Sequence, residues 1–473
     1  MATARSIDVS GNLDRLTRLA RQRSISEGQR GVRETASLLV DLHREVGFHD
    51  AEVAETAGLP GVWAYLDQGR PHTLVVYLMF DSGPVGSNWT RDPYAAEIGT
   101  QGAFPKVMFA KGVRTKGPYT AFLAAIDALV RSGERLPVNI ACVLDGEEFV
   151  GSTHYHELVE RYADRMPGPI GGVNPTCNQA LNGSYALSLA NKGCAYLDLR
   201  VRGSHWGKGP AGAHVHSSAQ AVVHSPAWRL VEALASLVDA PGGSHVAVPG
   251  FYDSQPTPSP EARRMLDGLA AGVPRNAWYR QAPGVAGFGE VGALVDDLHG
   301  AELLERALYG TTFNIGGLRS GYTDIDSPLF TLPGEATARV DIRYAPPEHG
   351  RRLVDLLRTH LDDGGFGEVE IIDLGTHDGS SASQGDTILE TAIATARDHG
   401  HETTLWPMRA AGAPVGVITE VLGVPSLGGF GLGAAGTGAG ADEFYVVEGD
   451  GQVAGFEDQA RYFADYLVAL DGR

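Results

Sequence analysis

Two adjacent carboxylates, Glu147 and Glu148, stand in the stretch Leu-Asp-Gly-Glu-Glu-Phe-Val-Gly-Ser at residues 144 to 152. One such group can serve as a general base, and two can hold a metal ion. The stretch follows an apolar run, Val138 to Val143, that reads as a buried strand. The carboxylates are therefore expected at a strand's carboxyl end, where open α/β sheets bind their ligands. Taken alone, the same residues also fit a solvated acidic turn, so their companions along the chain decide.

Those companions recur in a fixed order. Leu74 to Asp81 reads LVVYLMFD; Trp89, Asp92, Pro93 and Tyr94 follow; Lys111 to Pro118 reads KGVRTKGP and leads into a helical stretch. Ala213 to Ser217 (AHVHS), Asn314 to Gly317 (NIGG) and Leu332 to Arg343 (LPGEATARVDIR) come later, and Asp442-Glu443 closes a glycine-rich loop. Taken together with the Glu-Glu stretch, this series resembles the di-zinc amidohydrolase and peptidase family that includes carnosinase, acetylornithine deacetylase, succinyl-diaminopimelate desuccinylase and glutamate carboxypeptidase. Each motif is weak alone; their order along nearly the whole chain makes the resemblance specific.

The resemblance implies a role for each matched position and shows where this chain departs from the pattern. Glu148 falls on the catalytic base, and His216 on a lid histidine that reaches across a dimer and steadies an oxyanion. Asn314 and Arg343 fall on lid residues near the substrate, and Asp81 on the residue that orients the first metal-binding histidine. That histidine is Met79 here. Arg114 and Thr115 stand at the bridging aspartate, Phe149 at a metal-binding glutamate, Cys177 or Asn178 at the next aspartate, and Ala439 at the last histidine. Zinc needs three or four converging N, S or O donors, and a guanidinium repels a dication. The expectation is a pocket without zinc and without any other cofactor. In it Met79, Phe149, Cys177 and Asn178 line the substrate space, and Arg114 pairs with a substrate carboxylate. Lys116 is expected to be structural, closing the loop that enters the helix.

The elements that position these residues follow from periodicity. An N-terminal helical region (Leu13 to Gln22, Gly31 to Val46) leads into strand-helix-strand units such as Val75 to Phe80, Ala121 to Arg131 and Val138 to Leu144. The fold class expected is α/β: a mostly parallel-sheet catalytic domain with an inserted α+β lid and dimerisation domain. Residues 1–195 and 375–473 make the first, and 196–374 the second. Inside the insertion, strands are expected at Tyr196 to Val201 and Ala336 to Arg343, helices at Ala227 to Val238 and Gly350 to Asp362, and an extended Pro/Gly-rich middle at Pro241 to Pro283. Helices Ile388 to Asp398 and Gly455 to Leu470 finish the chain. A glycine-rich run, Phe430 to Gly440, lacks the Lys and Ser/Thr of a P-loop and reads as a connection.

Composition narrows the partners. At 473 residues the chain exceeds one compact core. A net charge of −19 with no basic run argues against nucleic acid and anionic membrane. Three cysteines without a C-x-x-C pair, and no visible signal peptide or membrane span, fit a cytoplasmic protein. A homodimer through the lid, acting on an aminoacyl or peptide-like small molecule, is expected. Three activities compete. The first is a metal-independent enzyme in which Glu148 moves a proton while His216 and Arg114 stabilise an anion, giving epimerisation, cyclisation or acyl transfer. The second is an amide-bond hydrolase with unorthodox metal ligands such as Cys177, Asp145, Glu147 and His214. The third is a catalytically silent binding or scaffold protein.

Overall fold

The computed structural model describes residues 6–272, 293–323, 330–436 and 440–470. Its centre is a six-stranded sheet in the order Asp50–Ala54, Gly61–Leu66, Asn139–Asp145, Thr73–Met79, Pro169–Pro175, Ser426–Phe430. The first two strands are antiparallel to their neighbours, and the remaining four run parallel. Leu74, Val75, Val76 and Tyr77 are all fully buried, because helices cover both faces of these strands, as a parallel sheet requires. Val113–Ser132 and Phe456–Ala469 pack together on one side, while Tyr155–Tyr162 and Gly416–Leu422 lie over the strand residues Tyr77 and Val143 on the other.

Two central strands bring the chemistry together. Met79 is in register with Asp145, so Phe80-Asp81 and Gly146-Glu148 leave the sheet side by side at its carboxyl edge. The Phe80 amide donates to the Asp145 carbonyl at 2.9 Å, and the Phe149 amide to Asp81 Oδ2 at 2.9 Å, which fixes one turn against the other.

The helix expected from Ala121 begins eight residues earlier, at Val113. Gly112, at φ 75°, turns the chain into it, and Pro118 is tolerated close to the start, costing one hydrogen bond. Arg114 and Lys116 are therefore helical. Lys116 is buried and donates to the Leu19 and Gln22 carbonyls at 3.2 and 3.0 Å, tying this helix to the N-terminal one. Gly117 has no room for a side chain, since a Cβ would lie 2.6 Å from the Tyr445 ring.

Between the fifth and sixth strands of the central sheet the chain builds a second, antiparallel sheet. Its order is Thr312–Ser320, Glu335–Tyr344, Gly193–Arg202, Glu370–His377. Helices Pro226–Ser236 and Gly350–Asp363 close one face over Leu197, Leu199, Val340 and Ile342. A two-stranded arm, His214–His216 against Thr331–Pro333, projects from it. Within the long Pro/Gly-rich middle, Pro260–Ala270 is a helix. Ser259 Oγ caps it from the Ala262 amide, proline occupies its first position, and Ala262 and Leu266 pack toward Leu304 and Leu308. Residues 273–283 of that stretch lie outside the described residues.

The edge of the second sheet touches the Glu-Glu turn directly. Gly375 (φ 152°) and Gly151 (φ 110°) meet backbone to backbone, and a Cβ on either would overlap the other segment. Thr153 Oγ1 donates to the Leu374 carbonyl at 2.5 Å. This contact sets the last strand of the second sheet over Glu148.

Candidate active site

The two adjacent glutamates are held very differently. Glu147 is buried and fully engaged: it accepts from the Leu59 amide at 3.2 Å, the His154 amide at 2.6 Å and His154 Nδ1 at 2.8 Å. Asp145 is likewise tied, accepting from the Glu147 amide at 3.0 Å and from Ser152 Oγ at 2.6 Å. These bonds close a tight turn that leaves Ser152 at φ 55°. The Glu148 carboxylate, by contrast, makes no hydrogen bond or ion pair among the described residues, and Glu148 lines a cleft of about 240 Å³ with Phe149, Cys194, Tyr196, Arg343 and His377. A larger cavity of about 900 Å³ runs along the second sheet past His214, Arg319, Tyr322 and Arg339. The Glu148 carboxylate opens into the smaller one.

Desolvation and the nearby Asp145 charge push Glu148 up from its ordinary acidity to about 7, with Arg114 and Arg343 pulling the other way. Asp81 is raised as well, first by burial and then by the Glu148 charge, and its Oδ1 is buried without a hydrogen-bond partner. The carboxylate of Glu148 thus sits where burial makes it a better base at neutral pH, flanked by two guanidiniums that favour negative charge.

The remaining residues singled out from the sequence divide into three groups. Phe149 and Arg343 share the cleft with Glu148, and Arg114 is close enough for its charge to act on Glu148 and on Cys177. Arg343 also donates from Nε to Asp341 Oδ2 at 3.1 Å, and Asp341 Oδ1 accepts from Asn314 Nδ2 at 3.0 Å, so Asn314 reaches the cleft only through Arg343. Met79 packs at the sheet face beside Val415 and Val417. Asn178 gives its amide to the Ala186 and Gly429 carbonyls at 3.0 and 3.3 Å. Cys177 is pushed up to about 12 by burial, against the weaker pull of Gln459 and Arg114. His216 is exposed on the projecting arm, bonded through Nδ1 to Ser218 and stacked on Phe330 with ring centroids 6.1 Å apart. It is not among the residues that line the Glu148 cleft within one chain. Ala439 lies outside the described residues.

Sequence reasoning passed over His377 and Tyr196. His377 ends the last strand of the second sheet and lines the cleft; desolvation and the neighbouring Arg343 hold it neutral, down to about 4. Its Nδ1 is buried without a partner. Only the pairing of Glu370–His377 with Gly193–Arg202 places it there, and no local pattern announces that.

The donors present decide whether a metal centre fits. Among the described residues no group of three or more His, Cys, Asp or Glu is disposed to hold an ion. Asp145 and Glu147 are consumed by backbone and side-chain donors, and His214 lies on the arm beside the larger cavity. Arg114 adds positive charge to the same space. The described residues do not fit a di-zinc site.

Comparisons with known proteins place this geometry in a class. Residues 200–367 match the family model described as Peptidase dimerisation domain. The chain is 22% identical over 346 residues to the Cys-Gly metallodipeptidase DUG1 of Candida albicans, covering 69% of this chain and 67% of that protein. It is 25% identical to the human Beta-Ala-His dipeptidase over 298 residues, 62% of this chain and 54% of that one. Among solved structures, the M20 family metallo-carboxypeptidase Sso-CP2 from Sulfolobus solfataricus superposes with a TM-score of 0.80 at 24% identity, covering 98% of this chain and 99% of that one. Human carnosine dipeptidase 1 gives 0.74 at 19%, over 98% and 97%. The molecule has the fold of the M20 peptidases and carries their dimerisation domain; its relatives are peptidase enzymes.

Proposed function

We propose that this protein is an amide-bond hydrolase acting on a small peptide-like or acyl-amino-acid substrate, with Glu148 as general base. The observation that carries this reading is the contrast within the Glu-Glu pair. Glu147 is used up in holding the turn, whereas Glu148 faces the cleft without a partner and has an acidity near neutrality. The likeness to dipeptidases supports the reaction class. In the reaction Glu148 takes a proton from water as its oxygen attacks the amide carbon. Arg343, and Arg114 beside it, favour the oxyanion that develops, and the Glu148 carboxyl then returns the proton to the leaving nitrogen. The ionised form is the base, so turnover rises with pH through about 7 and levels above it.

The test is hydrolysis of a dipeptide and acyl-amino-acid panel, followed by mass spectrometry, with wild-type protein and Glu148→Gln. Loss of general-base catalysis typically lowers the rate about 100- to 10,000-fold. Hydrolysis that survives in Glu148→Gln rejects the assignment.

A second reading is favoured by one observation, the guanidiniums beside Glu148 in a site whose donors do not fit zinc. There Glu148 removes a proton next to a carbonyl without any metal, and the arginines hold the enolate. Loss of the Cα–H signal of a substrate in D2O, without cleavage, separates it from hydrolysis. Assembly into a dimer through residues 200–367 belongs to both readings.

A further inference from the structure

We propose that His377 is a second catalytic residue of the cleft: its Nε2 donates a hydrogen bond to the carbonyl oxygen of the scissile amide as that oxygen becomes an anion. The proposal rests on the hydrolase reading of the Glu148 cleft.

Strand pairing puts His377 there. Cys194 is opposite Arg343 on one neighbouring strand and opposite His377 on the other. Residues directly opposite in an antiparallel sheet project from the same face. Arg343, Cys194 and His377 therefore form one row across three strands, on the face away from Leu197 and Ile342, which lie under the helices. All three line the cleft with Glu148. With neighbouring strands about 4.8 Å apart, the arginine and the imidazole start from positions roughly 10 Å apart. The short Cys194 side chain between them leaves a notch into which both longer ones can reach.

His377 is fixed by its backbone, and its ring is left over. Tyr344 Oη donates to the His377 carbonyl at 2.9 Å. The next residue, Asp378, accepts from the Gly350 amide at 2.9 Å and is bonded to His349 Nδ1 at 2.5 Å. Gly412 also lines the cleft and leaves room for the ring, since a Cβ there would lie 3.3 Å from Cε1. Nδ1 is buried without a partner, so Nε2 is the nitrogen left to meet a ligand.

The charge state of the ring suits a donor. Desolvation, and then the Arg343 charge, hold it neutral, down to about 4. A neutral imidazole still donates one N–H, and it does not repel the guanidinium in its row. In the attack Glu148 takes a proton from water, the water oxygen bonds to the amide carbon, and the carbonyl π pair moves onto oxygen. There Arg343 supplies charge and His377 a directed donor. The His377 proton stays on nitrogen, and the pair returns to carbon when the C–N bond breaks.

The experiment is steady-state kinetics of the full-length protein on a substrate from the panel, comparing wild type, His377→Leu and His377→Gln. Leucine fills the space without a donor, whereas the glutamine amide nitrogen lies near the place of Nε2. His377→Leu should lower kcat about 100- to 1,000-fold while KM moves less than about threefold, because the donor acts on the developing anion. His377→Gln should regain about tenfold of that loss. The rising limb near pH 7 should stay in place in both variants, since that ionisation belongs to Glu148. Cys194→Leu fills the notch and keeps the ring, and should lower kcat/KM at least about tenfold; it carries the test should His377→Leu fail to fold. If wild type cleaves no compound, the hydrolase reading falls and takes this proposal with it. If wild type cleaves, three results overturn this proposal alone: near-wild-type kcat in His377→Leu, a change confined to KM, or His377→Gln no faster than His377→Leu.

Discussion

Replacing Glu148 by glutamine is expected to move stability and activity in opposite directions, and the sign depends on pH. In the unfolded chain the carboxyl ionises near its ordinary 4.5; in the folded protein it does so at about 7, chiefly because it is desolvated. A glutamate raised in this way adds nothing to the pH dependence below 4.5. Between 4.5 and 7 the unfolded chain releases a proton that the folded chain keeps, so stability falls as pH rises through that window. Above 7 the loss is complete, at about 3 kcal/mol, taking each pKa unit as about 1.4 kcal/mol. Glutamine has nearly the same shape and no charge, so it escapes this loss. It also removes the charge that raises Asp81, which adds in the same direction. Glu148→Gln should therefore match wild type in thermal or urea denaturation at pH 4.5 and exceed it by roughly 2–3 kcal/mol at pH 8. Turnover at pH 8 should meanwhile fall at least about 100-fold. A variant equally destabilised at both pH values would mean that Glu148 serves the fold, and would refute the reasoning behind its role as base.

Glu147→Gln should show the converse: turnover reduced only modestly, and stability lowered by about 1–3 kcal/mol, because the Leu59 and His154 donors lose a charged acceptor; denaturation and kinetics on one preparation check both. Lys111→Met leaves Glu443 buried beside the Gly112 amide without its 3.0 Å partner, and should cost about 3–5 kcal/mol in urea unfolding. Gly375→Ala should depress turnover along with melting temperature, since a Cβ would collide with the Gly151 carbonyl and lift the second sheet from the cleft. Light scattering at micromolar concentration should give twice the chain mass, as the dimerisation-domain match leads one to expect.

The α/β class was legible because the central strands are apolar on both faces and alternate with a helix, as in Val75 to Val143. Helix starts were less legible. Lys116-Gly117-Pro118 reads as a loop, yet Gly117 packs against Tyr445 and Pro118 lies near enough to the helix start to be absorbed. The site was legible where it is local. Asp145, Glu147 and Glu148 belong to one turn, and the apolar run before them puts that turn at a strand end. It was illegible where it depends on strands distant in sequence: His377 and Tyr196 enter the cleft through pairing in the second sheet.

The division of labour between Glu147 and Glu148 follows from the turn itself. Side chains one residue apart in a tight turn point in different directions, so only one of an adjacent pair can close the turn while the other faces outward. Here Glu147 points back to the Leu59 amide and His154, and the 3-10 turn Glu148–Val150 carries its neighbour out to the cleft. The Phe149 amide is held by Asp81, so the strand carrying Met79 controls where Glu148 lies. Asp81 is thereby used in orienting the Glu-Glu turn. Its charge, after burial, also raises Asp145, whose own charge adds to the desolvation that raises Glu148. The positive charge around the cleft works against this rise. Arg114 and Arg343 keep Glu148 from climbing so far that it would stay protonated at neutral pH. Removing either arginine should accordingly move the rising limb of the pH–rate profile to higher pH.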